Sequence, residues 1–570
     1  MGIVVAMLGA IVAAAGAAPD AAAEWTRTVV VPPMNGAAPG IGPHGLTGIG
    51  FGPDGALYGG SVAGPGIYRF DLDAETVTEV VGAPAGEADD VALGPAGTPA
   101  EHWLAWTAIL ACEVRARRPD GEIVVLARDL PMINPIAFLP DGRLLAGQAS
   151  VPGVQSDTLL EIDLNGGPPR TLARDLGGIN AFAPGADGAS IIIPRFDRGG
   201  VARVDLATGT VSPIADGLGV PAAVKRDSQG GLYAIDWPTG RITYVNPDSG
   251  ETIRVATVPP PLDNIAIGPD DTLYVSRPPD NAIIAVNRDT GEHAVVFSSG
   301  LAAPGGVVLT TFRGRPALAV ADIYGYRFVD PVSGAVTLLP FDTATNASSA
   351  IAVDERRIVL VNVRRNSLTI IDRDAAERST VDAPARATAT VTDLNAPMGV
   401  ALSPAGEILV ANYGTGDILR LMPGAANDRT IVARGLRGPV GLAFGADGAL
   451  YVSEATSGAV SRVDRATGDV VAVAMGLSQP EALAALPDGR LAVIEAGAGR
   501  LSIVDPVLGS VETIATGLAT NQVFTRAPAP VYLPGGVTAG DDGAIYVVCD
   551  RDNSLLKFTP RESTTTRTGG

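Results

Sequence analysis

Along most of this chain, short runs of alternating apolar residues are separated by compact polar turns. LDNIAIGPDDTLYVS (262–276) is the clearest copy: a polar pair, an apolar run, a Pro-Asp-Asp turn and a second apolar run. Side chains alternate between the faces of a strand, and tight turns need residues that tolerate positive φ. Two alternating runs around such a turn therefore predict a β-hairpin. GIGFGPDGALYGG (48–60), PIAFLPDGRLLAG (135–147), GVALSPAGEILVA (399–411), GLAFGADGALYVS (441–453), ALAALPDGRLAVI (482–494) and GVTAGDDGAIYVV (536–548) repeat the pattern. A third run follows each, ending near Asp-x-x-Thr-Gly as in VDLATG (204–209), VNRDTG (286–291) and VDRATG (463–468). A fourth follows that, such as DVVAVAMGL (469–477).

Four strands every roughly 40–45 residues is the period of a β-propeller blade. Units begin near residues 46, 88, 133, 179, 221, 262, 304, 348, 397, 439, 480 and 534. Propellers usually carry about four to eight blades, so these starts predict an all-β protein of two tandem six-bladed β-propellers, about twelve four-stranded blades in all. The split falls near Leu301–Gly306. The resulting division is 1–23, a signal peptide or N-terminal anchor; 24–36, an N-terminal strand; 37–305, the first propeller; 306–560, the second; and 561–570, a polar tail.

The ends of the chain refine this. Ile3–Ala18 is apolar and is followed by Ala-x-Ala options, which fits a secretory signal, although no Lys or Arg precedes it. An uncleaved anchor is the other reading, and export to the periplasm or medium is the expected localisation. Trp25–Pro33 reads as a strand without a hairpin partner, and the last unit, Gly535–Pro560, shows three strands instead of four. Propellers commonly close by completing one blade from both chain ends, since an open ring leaves strand edges unpaired. The N-terminal strand is expected to finish the last blade; packing on the outside is the alternative.

Composition changes the picture in three places. The 70 glycines and 45 prolines recur at turn positions, so they punctuate strands and do not signal disorder. A net charge of −20 opposes binding to nucleic acid or anionic lipid. The 2 cysteines, Cys112 and Cys549, fall in different rings and are expected to be buried thiols; with 3 histidines, a zinc site is disfavoured. There is no Gly-x-Ser-x-Gly elbow and no phosphate loop leading from a strand into a helix.

Candidate chemistry follows from the repeat register. The innermost strand of each blade lines the central channel, so equivalent first residues gather around one axis. In the first ring these are Thr47, Asp89, Asn134, Asn180, Ala222 and Asp263; in the second, Gly306, Ser349, Met398, Val440, Glu481 and Gly535. One mouth collects carboxylates and amide oxygens, while the other is mostly apolar or bare. Hard oxygen ligands without Cys or His suit Ca²⁺. Asp89, Asn134, Asn180 and Asp263 are the candidate ligands, and Asp90 and Asn264 either add ligands or hold the others by hydrogen bonds. Capping of strand ends and turns is the alternative role for any one of them. Glu481 stands alone at its register, with no acid or amide companion expected. Asn412-Tyr413, Glu454 and Asp322-Tyr324 lie toward the far ends of second strands, either along a groove or on solvated blade edges.

LDNIAIGPDDTLYV resembles the calcium-ligand strand of the paraoxonases, six-bladed lactone and ester hydrolases. INPIAFLPDG and INAFAPGADG resemble Asn-bearing strands of the paraoxonases and of the SMP-30/gluconolactonase family. ADDVALGPAG resembles the paraoxonase acidic pair, PHGLT (43–47) a His-Gly segment near their active site, and PEALAALPDG the Glu-bearing strand of SMP-30. NHL and streptogramin-lyase repeats are similar along the whole length. The resemblance implies Asp89, Asp90, Asn134, Asn180, Asp263 and Asn264 at a calcium centre, with His44, Asp89 or Asp263 as the base that activates water. The chain departs from those families in placing its acids in the second and sixth blades, with Ala222 where they carry an acid. Two functions follow as expectations. One is a Ca²⁺-dependent hydrolase of small lactones or esters. The other is a non-catalytic scaffold for a carbohydrate, peptide or protein partner. Specificity would come from long loops such as Val151–Thr158 and Gln522–Pro534.

Overall fold

A computed structural model describes residues 25–64, 66–149, 157–339, 345–380, 383–422, 429–522 and 534–561. The signal or anchor segment, the core of both long loops and all but the first residue of the polar tail lie outside these. The described strands form twelve four-stranded antiparallel sheets, eleven of them built from four sequential strands, and these are the blades, numbered 1–12 in chain order. The inner strands of the first ring are Leu46–Phe51, Asp90–Leu93, Ile133–Phe138, Ala183–Pro184, Pro221–Arg226 and Ile265–Ile267. Those of the second are Pro304–Phe312, Ala350–Val353, Pro397–Leu402, Pro439–Phe444, Pro480–Ala485 and Val537–Ala539. The inner strand of blade 1 packs beside that of blade 6, and that of blade 7 beside that of blade 12, so each ring of six closes on itself.

Blade 12 takes its outer strand from the far end of the chain: Trp25–Val31 pairs antiparallel with Ser554–Pro560, Trp25 opposite Pro560 and Val29 opposite Leu556. The edge that Ser554–Pro560 would otherwise expose is thereby covered.

The recurring turn motif has a local cause. Asp205 Oδ1 accepts the backbone N–H groups of Ala207 at 3.0 Å and Thr208 at 2.8 Å, and Gly209 follows at φ +72°. The Asp supplies the turn's acceptor, and Gly supplies the left-handed residue that returns the chain. Between blades, apolar faces stack. Trp106 is fully buried between blades 1 and 2, and its indole N–H donates to the Gly86 carbonyl at 3.0 Å. Around the axis the inner strands come so close that a side chain at Gly48 would sit 2.4 Å from the Asp90 Cα, and one at Gly399 would overlap the Val440 carbonyl.

A second recurring device ties the incoming loop to its blade in five blades of the second ring. The residue ending the second strand accepts a backbone N–H from the loop before the inner strand. Asp322 takes Ala302 N at 2.9 Å, Asn412 takes Asn395 N at 2.7 Å, Glu454 takes Arg437 N at 2.7 Å, Glu495 takes Ser478 N at 2.9 Å and Asp550 takes Gln522 N at 2.7 Å. Asp322, Asn412 and Glu454 are thus structural acceptors, each already engaged with its own blade.

The rings meet along the segment that leads into blade 1. The Pro43 carbonyl accepts from Asn281 of blade 6 and from Asn553 of blade 12, both at 2.8 Å. Ala63 of blade 1 packs with Ala302, Ala303 and Ile323, which belong to the start of the second ring. Cys549 is buried and Cys112 half-buried; both are free thiols, and the partial exposure of Cys112 departs from the buried pair expected.

Candidate functional site

In the first ring Asp89, Asn134, Asn180 and Asp263 stand at or just before the inner strands of their blades, each partly exposed, and Thr47 is buried. The Thr47 hydroxyl donates to the Asp89 carbonyl at 2.8 Å, and Thr107 Oγ1 donates to that of Asn134 at 2.5 Å, which fixes both strand ends. Asp89 and Asp263 lie close enough to feel each other's charge. Burial, then Asp263 and Asp90, push the Asp89 carboxyl well above the usual range; burial, then Asp90, push Asp263 up as well. Two carboxylates held this way favour a cation between them.

Asp90 plays a different part. Its Oδ1 accepts from Val91 N at 3.0 Å and Asn264 Nδ2 at 3.1 Å, and its Oδ2 from Ile136 N at 3.2 Å. Asn264 Oδ1 is occupied by Ile265 N at 2.8 Å, and Asn180 Oδ1 accepts Ala181 N at 2.9 Å. Asp90 and Asn264 are therefore a hydrogen-bonded buttress beneath Asp89 and Asp263. Among the described residues no three of His, Cys, Asp and Glu assemble as a metal cluster. The donor set that fits a hard cation is two carboxylates with the asparagine oxygens.

Two residues at this site escaped the register. Lys225 lies three positions beyond Ala222 on the blade 5 inner strand, half-buried, its ammonium donating to the Phe182 carbonyl at 3.0 Å; desolvation lowers its pKa while the charge of Asp90 opposes that. Its signal was a lone cation inside the otherwise apolar PAAVK. Tyr324 reaches across from blade 7. Its hydroxyl is 3.0 Å from where a side chain on Gly45 would begin, and burial, Asp263 and Asp89 hold its phenol well above the usual range.

His44 does not face this centre. Its ring is buried and its Nε2 donates at 2.5 Å to the Asp550 carbonyl of the second ring, while its backbone N–H donates to Ser61 Oγ at 2.6 Å. Burial lowers its pKa to about 4, so it is neutral, with the proton on Nε2. The expected water-activating base is instead an inter-ring contact.

In the second ring Glu481 has the companions that the register denied it. Its Oε1 accepts from Gln479 Nε2 at 2.8 Å and its Oε2 from Gly535 N at 3.1 Å, and Asp550 stands close by. Burial and the charge of Asp550 raise the Glu481 pKa, and burial raises that of Asp550. Asp550 ends a second strand, so counting along inner strands could not find it.

Fold and site together define a tandem six-bladed β-propeller with two carboxylates close together in the first ring, Asp89 and Asp263, and Glu481 beside Asp550 in the second. The profile of one family, described as outer membrane protein assembly factor BamB, matches residues 238–472, which run from the first ring into the second. Among solved structures, a streptogramin B lyase is similar at 12% identity over 60% of this chain and 93% of its own, with a TM-score of 0.32. A gluconolactonase from Xanthomonas campestris is similar at 14% identity over 44% of this chain and 86% of its own, TM-score 0.36. The extracellular domain of a putative one-component system from B. thetaiotaomicron is similar at 11% identity over 93% of this chain and 82% of its own, TM-score 0.30. No curated protein matches the chain. Among the described residues no helix is long and apolar enough to cross a membrane.

Proposed function

We propose that the first ring is a calcium-dependent hydrolase of lactones or esters, in an exported protein, acting where Asp89 and Asp263 meet. The observation that supports this reading is the closeness of these two carboxylates, from blades 2 and 6, both partly exposed. Asp89, Asp263 and the asparagine oxygens would hold the ion, and Asp90 and Asn264 keep that shell in place through the hydrogen bonds given above. When bound, calcium supplies a Lewis acid for a carbonyl oxygen and offsets the charge that develops on it. The chain's own residues do the rest: one of the two carboxylates, Asp89 or Asp263, accepts the proton of the attacking water in place of His44. Tyr324, which keeps its phenol proton, donates a hydrogen bond at the mouth and makes the site a product of both rings. Export is supported by the apolar segment Ile3–Ala18.

The test is a panel of lactones and aryl esters assayed with and without EDTA, on the full chain and on Asp263→Asn and Asn180→Ala. Activity that chelation abolishes, calcium restores and both variants lose supports the reading. Calcium binding with no turnover of any member would leave the first ring as a scaffold pinned by metal. N-terminal sequencing of the mature protein checks export.

A further inference from the structure

The second ring's channel is a cavity of about 290 Å³ that follows the inner strands from the level of Glu481 to the partly exposed Phe444 and Ala485 at the far mouth. That is close to the lower bound for small-molecule pockets. Apolar side chains line it, among them Met398, Ile351, Leu442 and Phe444, with backbone polar groups exposed between them, and Glu481 is the single ionisable residue lining it among those described.

Beside Glu481 stands a carboxylate oxygen with no hydrogen-bond donor among the described residues. Where an acid ends a second strand in the second ring, one carboxylate oxygen takes the incoming loop and the other takes a second donor. Asp322 Oδ1 accepts Tyr324 N at 3.2 Å, Glu454 Oε1 accepts the Ser461 hydroxyl and Glu495 Oε1 accepts Ser502 Oγ at 2.6 Å. Asp550 breaks the pattern. Its Oδ1 is buried without a partner among the described residues, 3.8 Å from the point where a side chain on the channel-lining Gly535 would begin. A buried carboxylate oxygen left unpaired beside a second carboxylate is costly unless a positive donor fills the place.

From this geometry we infer that the second ring binds a small organic cation, an ammonium group on a slender apolar body. The ammonium sits at Asp550 and Glu481, and the body lies along the channel. A divalent metal fits poorly, because among the described lining residues only Glu481 and Thr538 carry a side-chain oxygen, against the six or more oxygens that calcium takes. A neutral apolar ligand would leave Asp550 Oδ1 unsatisfied. The inference is independent of the hydrolase reading, since it uses no residue of the first ring.

The experiment is calorimetric titration of the full chain with n-butylammonium and benzylammonium chloride, against n-pentanol and calcium chloride. The ammonium probes are expected to bind at least about tenfold more tightly than the alcohol, the ratio a charge-assisted hydrogen bond supplies. Asp550→Asn keeps an oxygen for Gln522 N and should weaken ammonium binding about tenfold or more. Met398→Phe, which narrows the channel and leaves both acids in place, should weaken benzylammonium more than butylammonium, and it serves as the second arm should Asp550→Asn fail to fold. Equal affinity for the alcohol, unchanged binding in both variants, displacement of the ammonium by calcium, or no binding of either ammonium would each overturn the inference.

Discussion

Replacing Glu495 with Ala should cost the second ring about 3 kcal/mol, through the device that ties incoming loops to their blades. Glu495 is 1% exposed, and its carboxylate holds three donors: Ser478 N at 2.9 Å, Ser502 Oγ at 2.6 Å and Arg500 Nη2 at 2.5 Å. These losses are unequal. The Ser478 N–H has no replacement close by, and a stranded donor of this kind costs about 2 kcal/mol. Ser502 can turn to Thr513 Oγ1, 3.2 Å away, so its loss is about 0.5 kcal/mol. The Arg500 side chain is about one-third exposed and regains water, which leaves little net effect. The one buried methylene that the change removes, Cγ of Glu495, adds about 0.8 kcal/mol. Urea unfolding followed by tryptophan fluorescence and far-UV circular dichroism reads this out. A slope of about 3 kcal/mol/M turns the loss into a midpoint about 1 M lower for the second ring's transition. Glu512→Ala, on the exposed face of the same blade's outer strand, is the control and should stay within about 0.5 kcal/mol of the parent. A Glu495→Ala loss below about 1 kcal/mol would show that the acceptor is dispensable, and the account of loop anchoring in the second ring would fail with it.

Three further outcomes are expected. A chain lacking residues 1–31 loses the strand that covers Ser554–Pro560, so calorimetry should show the second ring melting well below the first, whereas coincident melting at the parent temperature would contradict closure through that strand. Asp90→Asn removes the negative charge that favours the Lys225 ammonium and should cost about 1 kcal/mol, part of which the added Lys225→Met change restores; additivity of the two losses would refute their coupling. The unfolded chain takes up a proton on His44 near pH 6.5 and the folded chain only near 4, so acid favours unfolding across that window and the stability His44 contributes is complete above it. His44→Gln, which still donates to the Asp550 carbonyl, should remove on the order of 3 kcal/mol of stability change between pH 7 and 4, and an unaltered acid limb in urea titrations would count against a neutral buried imidazole.

The repeat was legible because propeller physics is local. Alternation fixes strands, Asp-Gly and Asp-x-x-Thr-Gly fix turns through one acceptor and one left-handed residue, and the period fixes blades. The register therefore located the inner strands to within a few residues, and with them Asp89, Asn134, Asn180 and Asp263. What the chain order could not supply was any pairing between residues on different strands of different blades. Asp550 meets Glu481 from the end of a second strand, Tyr324 reaches the first ring's mouth from the second ring, and Lys225 faces Asp90 across the channel. His44 shows the same limit from the other side: a Gly-Pro loop gives a histidine no direction, and only the packing of one ring on the other turned it away from the acid pair. Sequence by itself determined the strands, the turns and the count of blades, since these depend on neighbours a few residues apart. Tertiary structure alone decided which charges share a buried space, because burial and distance across an axis are properties of the closed ring.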